Sequence, residues 1–312
     1  MNIATLYIGI ILVCRVVQAI FNKQSSNEVR SAQTLMVYFS YRMALSALLG
    51  VILLLVGLAG GEAIRIDGLT VLIATFSGLM LFVASACSLY CMKSGTVSLD
   101  SMFGTAGMLI PLLAGIFLFD QPVRPLQWVG VAVFFVSAWL LVQSSRKTYS
   151  NFSFKTALLL LGSLLSNGAT MLAQQLFTEY VPDGSVSAFS FVSFAVLAVL
   201  CGATALGMWF CDRRKASGEN AVRSAAANYK LSRNLLLCGA ALAVAVFVIN
   251  QLATLSTALV SPVILFAFIN GGGTIIATVV AAILYKEKLS VTSTIGVLLG
   301  IASLVMIKVF EA

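Results

Sequence analysis

Long runs of apolar residues alternate with short polar stretches along the whole chain. A helix needs about 20 residues to cross about 30 Å of hydrocarbon, and the runs are close to that length or longer. Membrane-spanning β-strands would instead alternate apolar and polar residues over about ten positions, which these runs do not do. The pattern predicts an all-α membrane protein with ten transmembrane helices, helices 1 to 10 in chain order. The predicted helices cover 2–21, 34–57, 69–92, 97–119, 126–143, 156–179, 185–211, 234–257, 261–285 and 290–309.

The composition agrees with lipid as the solvent of this chain. Hydrophobic residues make up 60% of the sequence and charged residues only 10%, whereas soluble domains carry about 25% charged residues. The formal net charge is +8, but the basic residues are dispersed among the loops and form no stripe of the kind that nucleic acid binding requires. We therefore expect the lipid bilayer, and not nucleic acid, as the macromolecular environment.

The distribution of basic residues predicts the orientation in the membrane. Fourteen lysines and arginines fall in the odd-numbered loops between predicted helices, against three in the even-numbered loops and the C-terminal end. Cytoplasmic loops are enriched in lysine and arginine. The bias predicts a multi-pass protein of the cytoplasmic (inner) membrane with both termini outside.

The second half of the chain repeats features of the first half when it is shifted back by 166 positions. Residues 119–130 then align with 285–296, and each segment closes five predicted helices. Gly107 falls on Gly273, and Ser137 falls on Ser303 under the same shift. The two halves are therefore expected to be structural repeats.

Because five is an odd number, the two repeats would insert into the membrane with opposite orientations. The charges agree, since predicted loop 2 carries one basic residue and its counterpart, loop 7, carries six. We predict a first five-helix repeat over 1–145, a cytoplasmic linker over 146–155 and a second five-helix repeat over 156–312. Inverted repeats of this kind are typical of secondary transporters, which bind their solutes near the membrane midplane.

The end of each half also carries a local pattern of a helix, a short turn and a glycine-bearing helix. In the second half the motif is Leu-Tyr-Lys-Glu-Lys-Leu-Ser over 284–290, followed by Gly296. With Pro111 in helix 4 and Arg42 in helix 2, the chain resembles the drug/metabolite transporter superfamily, in particular its EamA-type members. The resemblance covers the whole chain and implies ten helices, two inverted repeats and secondary transport.

The chain departs from the family pattern at three positions. Gln121 stands where the first half usually has an acidic residue, and Ala277 replaces the proline of helix 9. Helix 1 carries Arg15 and lacks the carboxylate that small multidrug members of the superfamily use for proton coupling. Proton-driven export of cationic drugs is therefore not expected.

Polar residues inside the predicted spans recur at helical spacing, so several of them share a helix face. One hypothesis is that five such faces, on helices 1, 4, 6, 8 and 9, converge on a central solute cavity. The alternative is that asparagine and glutamine join neighbouring helices through hydrogen bonds. The candidate substrate-binding residues are Arg15, Gln18, Arg42, Tyr90, Asn167, Gln174, Asn250 and Asn270.

The charges within the spans suggest the kind of solute. Arg15 and Arg42 outnumber the acidic residues, of which Asp100 is the clear one within a predicted span. An excess of positive charge favours an anionic or zwitterionic solute, such as an amino-acid-like metabolite. The alternatives are an internal Arg–Asp pair or an arginine that extends to the membrane interface. Asp100 is the candidate for proton coupling, and facilitated diffusion and exchange stay open beside it.

Two features of helices 4 and 9 predict irregular backbone. Pro111 lacks an amide hydrogen and crowds the carbonyl of Gly107, so helix 4 is expected to kink there. The glycine run at 271–273 is either a flexible spot in helix 9 or a place where another helix approaches closely. Both features would suit alternating access, in which one bundle moves against another.

The most economical interpretation is a secondary transporter that moves a small organic solute by alternating access. The alternative is a structural or regulatory membrane subunit without transport activity. An enzyme is not expected, because the chain has no histidine and so lacks a Ser–His dyad or a zincin site. Cys87 and Cys91 share a helix face but have no histidine or carboxylate beside them, so we predict neither metal nor cofactor. The protein is expected to be a monomer or homodimer.

Overall fold

The computed structural model of the protein describes residues 3–29, 31–61, 64–93, 103–104, 106–119, 124–145, 154–215, 229–273, 275–276, 279 and 291–309. These residues form helices and include no β-strand, so the predicted all-α fold is confirmed for them. The helices are α1 (Ile3–Glu28), α2 (Ala32–Ala59), α3 (Gly68–Lys93), α4 (Leu109–Phe117), α5 (Pro125–Ser145), α6 (Phe154–Tyr180), α7 (Val186–Lys215), α8 (Arg233–Thr257), the short α9 (Pro262–Phe266) continued by a π-helical segment (Ala267–Gly272), and α10 (Val291–Val309).

Six of the described helices, α1, α2, α3, α6, α7 and α8, are long and apolar enough to cross a membrane. Helices α5 and α10 contain shorter apolar stretches, Trp128–Ser137 and Thr294–Ser303. Many large apolar side chains on these helices are exposed, for example Leu48, Val56 and Leu72. Exposed apolar surface on this scale requires lipid or a partner. The membrane character is confirmed in this sense, while ten crossings and an inverted repeat stay predictions.

The chain divides into two compact units that do not coincide with the predicted repeats. Unit 1 comprises Met1–Val16, Val83–Pro182 and Leu252–Ala312, and unit 2 comprises Val17–Phe82 and Asp183–Gln251. Each unit takes residues from both halves of the sequence, and three of the four divisions fall within α1, α3 and α8. Each compact unit therefore combines residues of both predicted repeats, which stay predictions.

In unit 2, α2 and α7 pack side by side in opposite directions. Near one end, Gln33 of α2 donates a hydrogen bond to the Asp212 carboxylate of α7 at 3.0 Å. Further along α2, Gly50 packs against the backbone of Phe191, where an added Cβ would lie 3.1 Å from the Phe191 Cα. The absence of a side chain at Gly50 therefore lets the two helices approach closely.

Serine residues fix the start of three helices in unit 2. Ser31, Ser185 and Ser232 precede α2, α7 and α8, and each side-chain oxygen accepts the backbone N–H three residues further along. This N-cap satisfies one of the amides that a helix start leaves without an internal partner. At the other end of α2, Gly61 adopts a φ of +80°, a conformation that glycine reaches without strain.

The two ends of unit 2 hold different sets of loops. At one end, Ser232 donates a hydrogen bond to Glu28, which joins the end of α1 to the start of α8. At the other end, the Ser185 amide donates to the Arg65 carbonyl at 3.3 Å, and Arg65 also forms an exposed ion pair with Asp183. The loops that follow α1 and α7 therefore lie at one end, and those that follow α2 and α6 lie at the other.

The core of unit 1 combines residues from opposite halves of the chain. Leu112 of α4, Val131 of α5, Ile264 of α9 and Ile275 form one buried apolar cluster. The cluster brings helices that are more than 100 positions apart in sequence into direct contact. Burial of such side chains provides most of the packing energy on which the polar contacts of this unit depend.

Helices α5 and α10 of unit 1 are in close contact at Ser137. Its hydroxyl donates a hydrogen bond to the Gly296 carbonyl at 2.6 Å. An added Cβ on Gly300 would lie 2.8 Å from the Ser137 oxygen. The Gly296–Gly300 spacing therefore forms the close helix contact that a GxxxG pattern commonly marks.

Candidate functional site

A polar contact between α1 and the π-helical segment lies inside unit 1. The Arg15 guanidinium donates to the Asn270 side-chain oxygen at 3.3 Å. The Asn270 amide donates to the Phe266 carbonyl at 3.1 Å and contacts the Met171 sulfur at 3.5 Å. The contact thus joins helices 1, 6 and 9, three of the helices that are predicted to carry polar faces.

The backbone at this contact is irregular. Asn270 belongs to the π-helical segment, Ala267–Gly272, which directly continues α9. Single π-helical turns are rare and occur frequently at functional sites. The extra residue in the turn changes the direction of the side chains that follow, so the geometry at Asn270 differs from that of a regular α-helix.

The glycine run after Asn270 is a place of close approach. An added Cβ on Gly271 would lie 2.5 Å from the ring of Phe134, which belongs to α5. An added Cβ on Gly273 would lie 3.3 Å from the Arg15 side chain. Side chains at these positions would push α1 and α5 away from the π-helical segment. The described contacts thus favour close approach over a merely flexible spot.

A second close crossing in unit 1 joins the segment before α4 to α6. An added Cβ on Gly168 would lie 2.5 Å from the Gly107 carbonyl oxygen, and one on Gly104 would lie 3.2 Å from the Asn167 amide nitrogen. The same Asn167 nitrogen donates to the Ser163 carbonyl at 2.8 Å. Asn167 therefore has a partner on its own helix and faces Gly104 across the crossing.

The helical hydrogen bonding is interrupted at 107–108, before α4 begins. The Ile110 amide donates to the Gly107 carbonyl at 3.0 Å, a spacing of three residues in place of four. Pro111, buried in α4, has no amide hydrogen, and its ring would meet the Gly107 carbonyl in a regular helix. The interruption thus lies one turn before the proline, where that steric conflict is expected.

Helix α6 carries two adjacent buried glutamines. Gln174 is 5% exposed and Gln175 is 3% exposed. Neither the nitrogen nor the oxygen of the Gln175 amide has a hydrogen-bond partner among the described residues. Sequence reasoning selected Gln174 and missed Gln175, although the spacing of four from Met171 and of three to Thr178 was visible in the sequence.

Polar residues of α8 join neighbouring helices in both units. In unit 2, the Asn250 amide donates to Ser190 at 3.1 Å, and the same Ser190 hydroxyl donates to Gln251 at 2.8 Å. In unit 1, the hydroxyls of Thr178 and Thr257 lie 2.6 Å apart. At Asn250 the structure therefore favours the helix-joining interpretation.

Arg42 lies on α2 in unit 2 beside two aromatic rings. Its guanidinium carbon is 5.0 Å from the ring centroid of Phe39 and 6.0 Å from that of Tyr38. Tyr38 is itself buried, with its hydroxyl 2.8 Å from that of Ser25. Tyr38 also packs against Gly239, where an added Cβ would lie 3.0 Å from its ring.

The other predicted site residues lie elsewhere. Gln18 is partly buried in unit 2, and Tyr90 in unit 1 is 55% exposed. Asp100 lies outside the residues that the structure describes, as do Gln121 and Ala277. The motif at 284–290 lies outside them too.

A polar cluster lies at one end of unit 2 and includes Tyr229, which is outside the membrane-spanning segments. The Asp212 carboxylate accepts hydrogen bonds from Gln33 at 3.0 Å and from the Tyr229 hydroxyl at 2.7 Å. Burial and the hydrogen bond to Asp212 raise the pKa of Tyr229 above its ordinary value. Within the described part of the chain, no three histidine, cysteine or acidic side chains lie close enough to hold a metal ion.

Comparisons with known proteins give the fold alone. No family model and no curated protein matches the sequence. Among solved structures, one described as "Crystal structure of protein" aligns over 99% of this chain and 97% of its own length, with a TM-score of 0.75 and 12% identity. At this identity the similarity shows a shared fold and carries no information about function.

Proposed function

We propose that the protein is a secondary transporter that moves a small organic solute across the cytoplasmic membrane by alternating access. The observation that carries the proposal is the Arg15–Asn270 contact at the π-helical segment of unit 1. Charged side chains at membrane depth are rare and usually belong to substrate or ion pathways. Irregular backbone at that depth is tolerated where it is buried in protein or lines a cavity.

The proposal includes two inverted five-helix repeats, and the packing within each unit supports them. Among the described helices, α2 with α7 and α5 with α10 form the two most extensive contacts. In the predicted repeats, α2 and α7 are the second helices and α5 and α10 are the fifth. Helices related by a two-fold axis in the membrane plane meet as antiparallel partners beside that axis, and α2 and α7 are antiparallel.

Two further contacts of unit 1 are related in the same way. The segment before α4 crosses α6 at Gly107 and Gly168, while α1 approaches the glycine run that follows α9 at Gly273. Gly107 and Gly273 are equivalent positions in the predicted repeats, and α6 is the counterpart of α1. Contacts that recur at equivalent positions support a repeat more strongly than the sequence alignment does alone.

The predicted orientation also belongs to the proposal. The loops after α1 and α7, which are odd-numbered, lie at one end of unit 2, and those after α2 and α6 lie at the other end. The alternation supports cytoplasmic odd-numbered loops, because these carry most of the basic residues. The family proposed from the sequence, EamA-type drug/metabolite transporters, agrees with this arrangement.

The transport proposal is tested by a thermal-shift screen of the detergent-purified protein. The panel comprises amino acids, organic acids, nucleosides, sugars, phosphates and quaternary amines, because ligands that bind the native state stabilise it. Solutes that raise the melting temperature are then tested for uptake into proteoliposomes. We expect saturable uptake of at least one of them.

Asn270→Leu is the informative variant, and Asn234→Leu at the exposed start of α8 is its control. We expect uptake to be lost in the former and retained in the latter. A protein that binds no solute and moves none would instead support the alternative, a structural or regulatory subunit. For coupling, we expect Asp100→Asn to retain exchange and to lose any uptake driven by a pH gradient.

A further inference from the structure

Arg42 places a positive charge in the middle of a membrane-spanning helix of unit 2. It is the eleventh residue of α2, about 15 Å along the axis from the helix start. Its Nε atom is inaccessible and has no hydrogen-bond partner among the described residues. The side chain as a whole is partly exposed, so the terminal guanidinium nitrogens retain an accessible surface.

Two aromatic rings lie beside the Arg42 guanidinium. Side chains on a helix point back toward its N-terminus, and Tyr38 and Phe39 occupy the preceding turn. The guanidinium carbon lies 5.0 Å from the Phe39 ring and 6.0 Å from the Tyr38 ring. The guanidinium is therefore close enough to both rings for a cation–π contact.

No described carboxylate of unit 2 neutralises Arg42. Glu28 accepts a hydrogen bond from Ser232, and Asp212 accepts hydrogen bonds from Gln33 and Tyr229. The other two described acidic residues of the unit, Asp67 and Asp183, form ion pairs with Arg65. Aromatic faces attract a cation, but they supply no acceptor for the guanidinium N–H groups.

Isolated buried charges are strongly unfavourable, and buried arginines are normally paired or bound to an anion. We propose that Arg42 binds the carboxylate of the transported solute, an inference that rests on the proposed transport function. The planar fork of a guanidinium matches a carboxylate with two parallel hydrogen bonds. A single positive charge balances a carboxylate, whereas a phosphate monoester carries about two negative charges at pH 7.

The first test compares each carboxylate with its own neutral amide, which has nearly the same shape. Amino acids and short dicarboxylic acids are measured with the corresponding amides by thermal shift of the full-length protein. Inorganic phosphate and a short-chain phosphatidylglycerol are included as other sources of an oxyanion. We expect at least one carboxylate to raise the melting temperature and its amide to have no effect. Equal stabilisation by acid and amide, or no stabilisation by any carboxylate, would overturn the inference.

The second test uses variants of Arg42 and a matched arginine. Arg42→Gln removes the charge, and Arg42→Lys keeps the charge without the fork. Arg65→Gln removes an arginine whose side chain is 64% exposed in the loop between α2 and α3. We expect carboxylate affinity to fall at least about tenfold in Arg42→Gln, as charge-assisted hydrogen bonds are lost. The loss should be smaller in Arg42→Lys and absent in Arg65→Gln.

The outcomes separate this inference from the transport proposal. Carboxylate affinity that is unchanged in Arg42→Gln would overturn the role of Arg42, whatever the flux. Stabilisation by phosphate or phosphatidylglycerol alone, lost in the same variant, would identify a phosphate or lipid site and overturn the solute assignment. Carboxylate binding that depends on Arg42, without flux in proteoliposomes, would support the anion site and refute transport.

Discussion

The crossing of α6 with the segment before α4 predicts a steric effect that can be measured with a single methyl group. An added Cβ on Gly168 would lie 2.5 Å from the Gly107 carbonyl oxygen and 2.5 Å from the Ile110 side chain. Restoring an ordinary contact of 3.4 Å needs a displacement of about 0.9 Å. The carbonyl belongs to the backbone, so the two segments must separate, and a change of rotamer cannot relieve the conflict.

Gly207 of α7 provides the matched control, since an added Cβ there would meet nothing within 4 Å. Replacing glycine by alanine within a helix stabilises it by about 0.5–1 kcal/mol, and this gain is common to both sites. Overpacking a close contact costs about 1–3 kcal/mol. We therefore expect Gly168→Ala to be less stable than Gly207→Ala by about 1–3 kcal/mol, toward the upper end because a backbone atom is involved.

The assay is thermal unfolding in detergent. Unfolding is monitored with a thiol-reactive dye that labels buried cysteines such as Cys201 and Cys238 as they become exposed. The two variants are compared at equal protein concentration and heating rate, because unfolding of such proteins is often irreversible. We expect Gly207→Ala at or above the wild-type melting temperature and Gly168→Ala several degrees below it. Equal melting temperatures for the two variants would refute the close crossing.

Three further predictions concern other contacts. Gln175→Met should raise the melting temperature, corresponding to about 1–3 kcal/mol, because it removes one buried amide whose nitrogen and oxygen both lack a partner among the described residues. A lower melting temperature would mean that the amide has a partner. Tyr229→Phe should destabilise the protein by about 1 kcal/mol at pH 7, because the hydrogen bond to Asp212 is lost. The pKa of Tyr229 is higher in the folded state than in the unfolded state. The contribution of Tyr229 to stability is therefore fully present below the unfolded pKa of about 10 and decreases as pH rises above that value. The difference in stability between wild type and Tyr229→Phe should be smaller at pH 11 than at pH 7. Ser137→Ala should destabilise the protein by about 0.5–1.5 kcal/mol and Ser303→Ala by less, because of the two hydroxyls only that of Ser137 bonds to a second helix. Equal melting temperatures for the two variants would contradict this prediction.

The sequence was sufficient to predict the helices that depend on local properties. The apolar run at 34–57 predicted α2, which spans Ala32–Ala59. The additional residues at its start follow Ser31, whose side chain caps the helix. Apolar length and N-cap chemistry are both encoded within a few residues of the helix, so they can be recognised without knowledge of the tertiary structure.

The partners of the polar residues could not be predicted in the same way. Asn250 and Asn270 are the same residue type, each on a predicted polar face, but Asn250 donates to Ser190 and Asn270 accepts from Arg15. In each case the partner lies at least 60 positions away in the sequence. It is set by the way distant helices pack, on which helical spacing gives no information.

The π-helical segment is a further feature that the sequence left undecided. A run of three glycines permits a flexible region, a close helix crossing or an additional residue in a turn. The ring of Phe134 and the side chain of Arg15 occupy the space beside Gly271 and Gly273. The backbone of this segment is therefore shaped by contacts with α5 and α1, whose positions follow from the packing of the whole unit.

The two intramembrane arginines differ in what surrounds them, and this difference predicts different effects of the same substitution. Arg15→Met and Arg42→Met each remove one charge, but Arg15→Met also deprives the Asn270 oxygen of its donor. We therefore expect Arg15→Met to be less stable than Arg42→Met by about 1–3 kcal/mol, the penalty of an unpaired buried polar group. A charge near the centre of a membrane helix costs about 2.5–3.5 kcal/mol, and contact with aromatic rings returns about 0.5–2 kcal/mol. Arg42→Met should therefore stabilise the ligand-free protein, as expected when a binding residue is retained at the expense of stability. The measurement is the melting temperature of both variants in detergent without added solute. A lower melting temperature for Arg42→Met would mean that the protein itself already satisfies the Arg42 guanidinium, and that no anion is needed to complete the site.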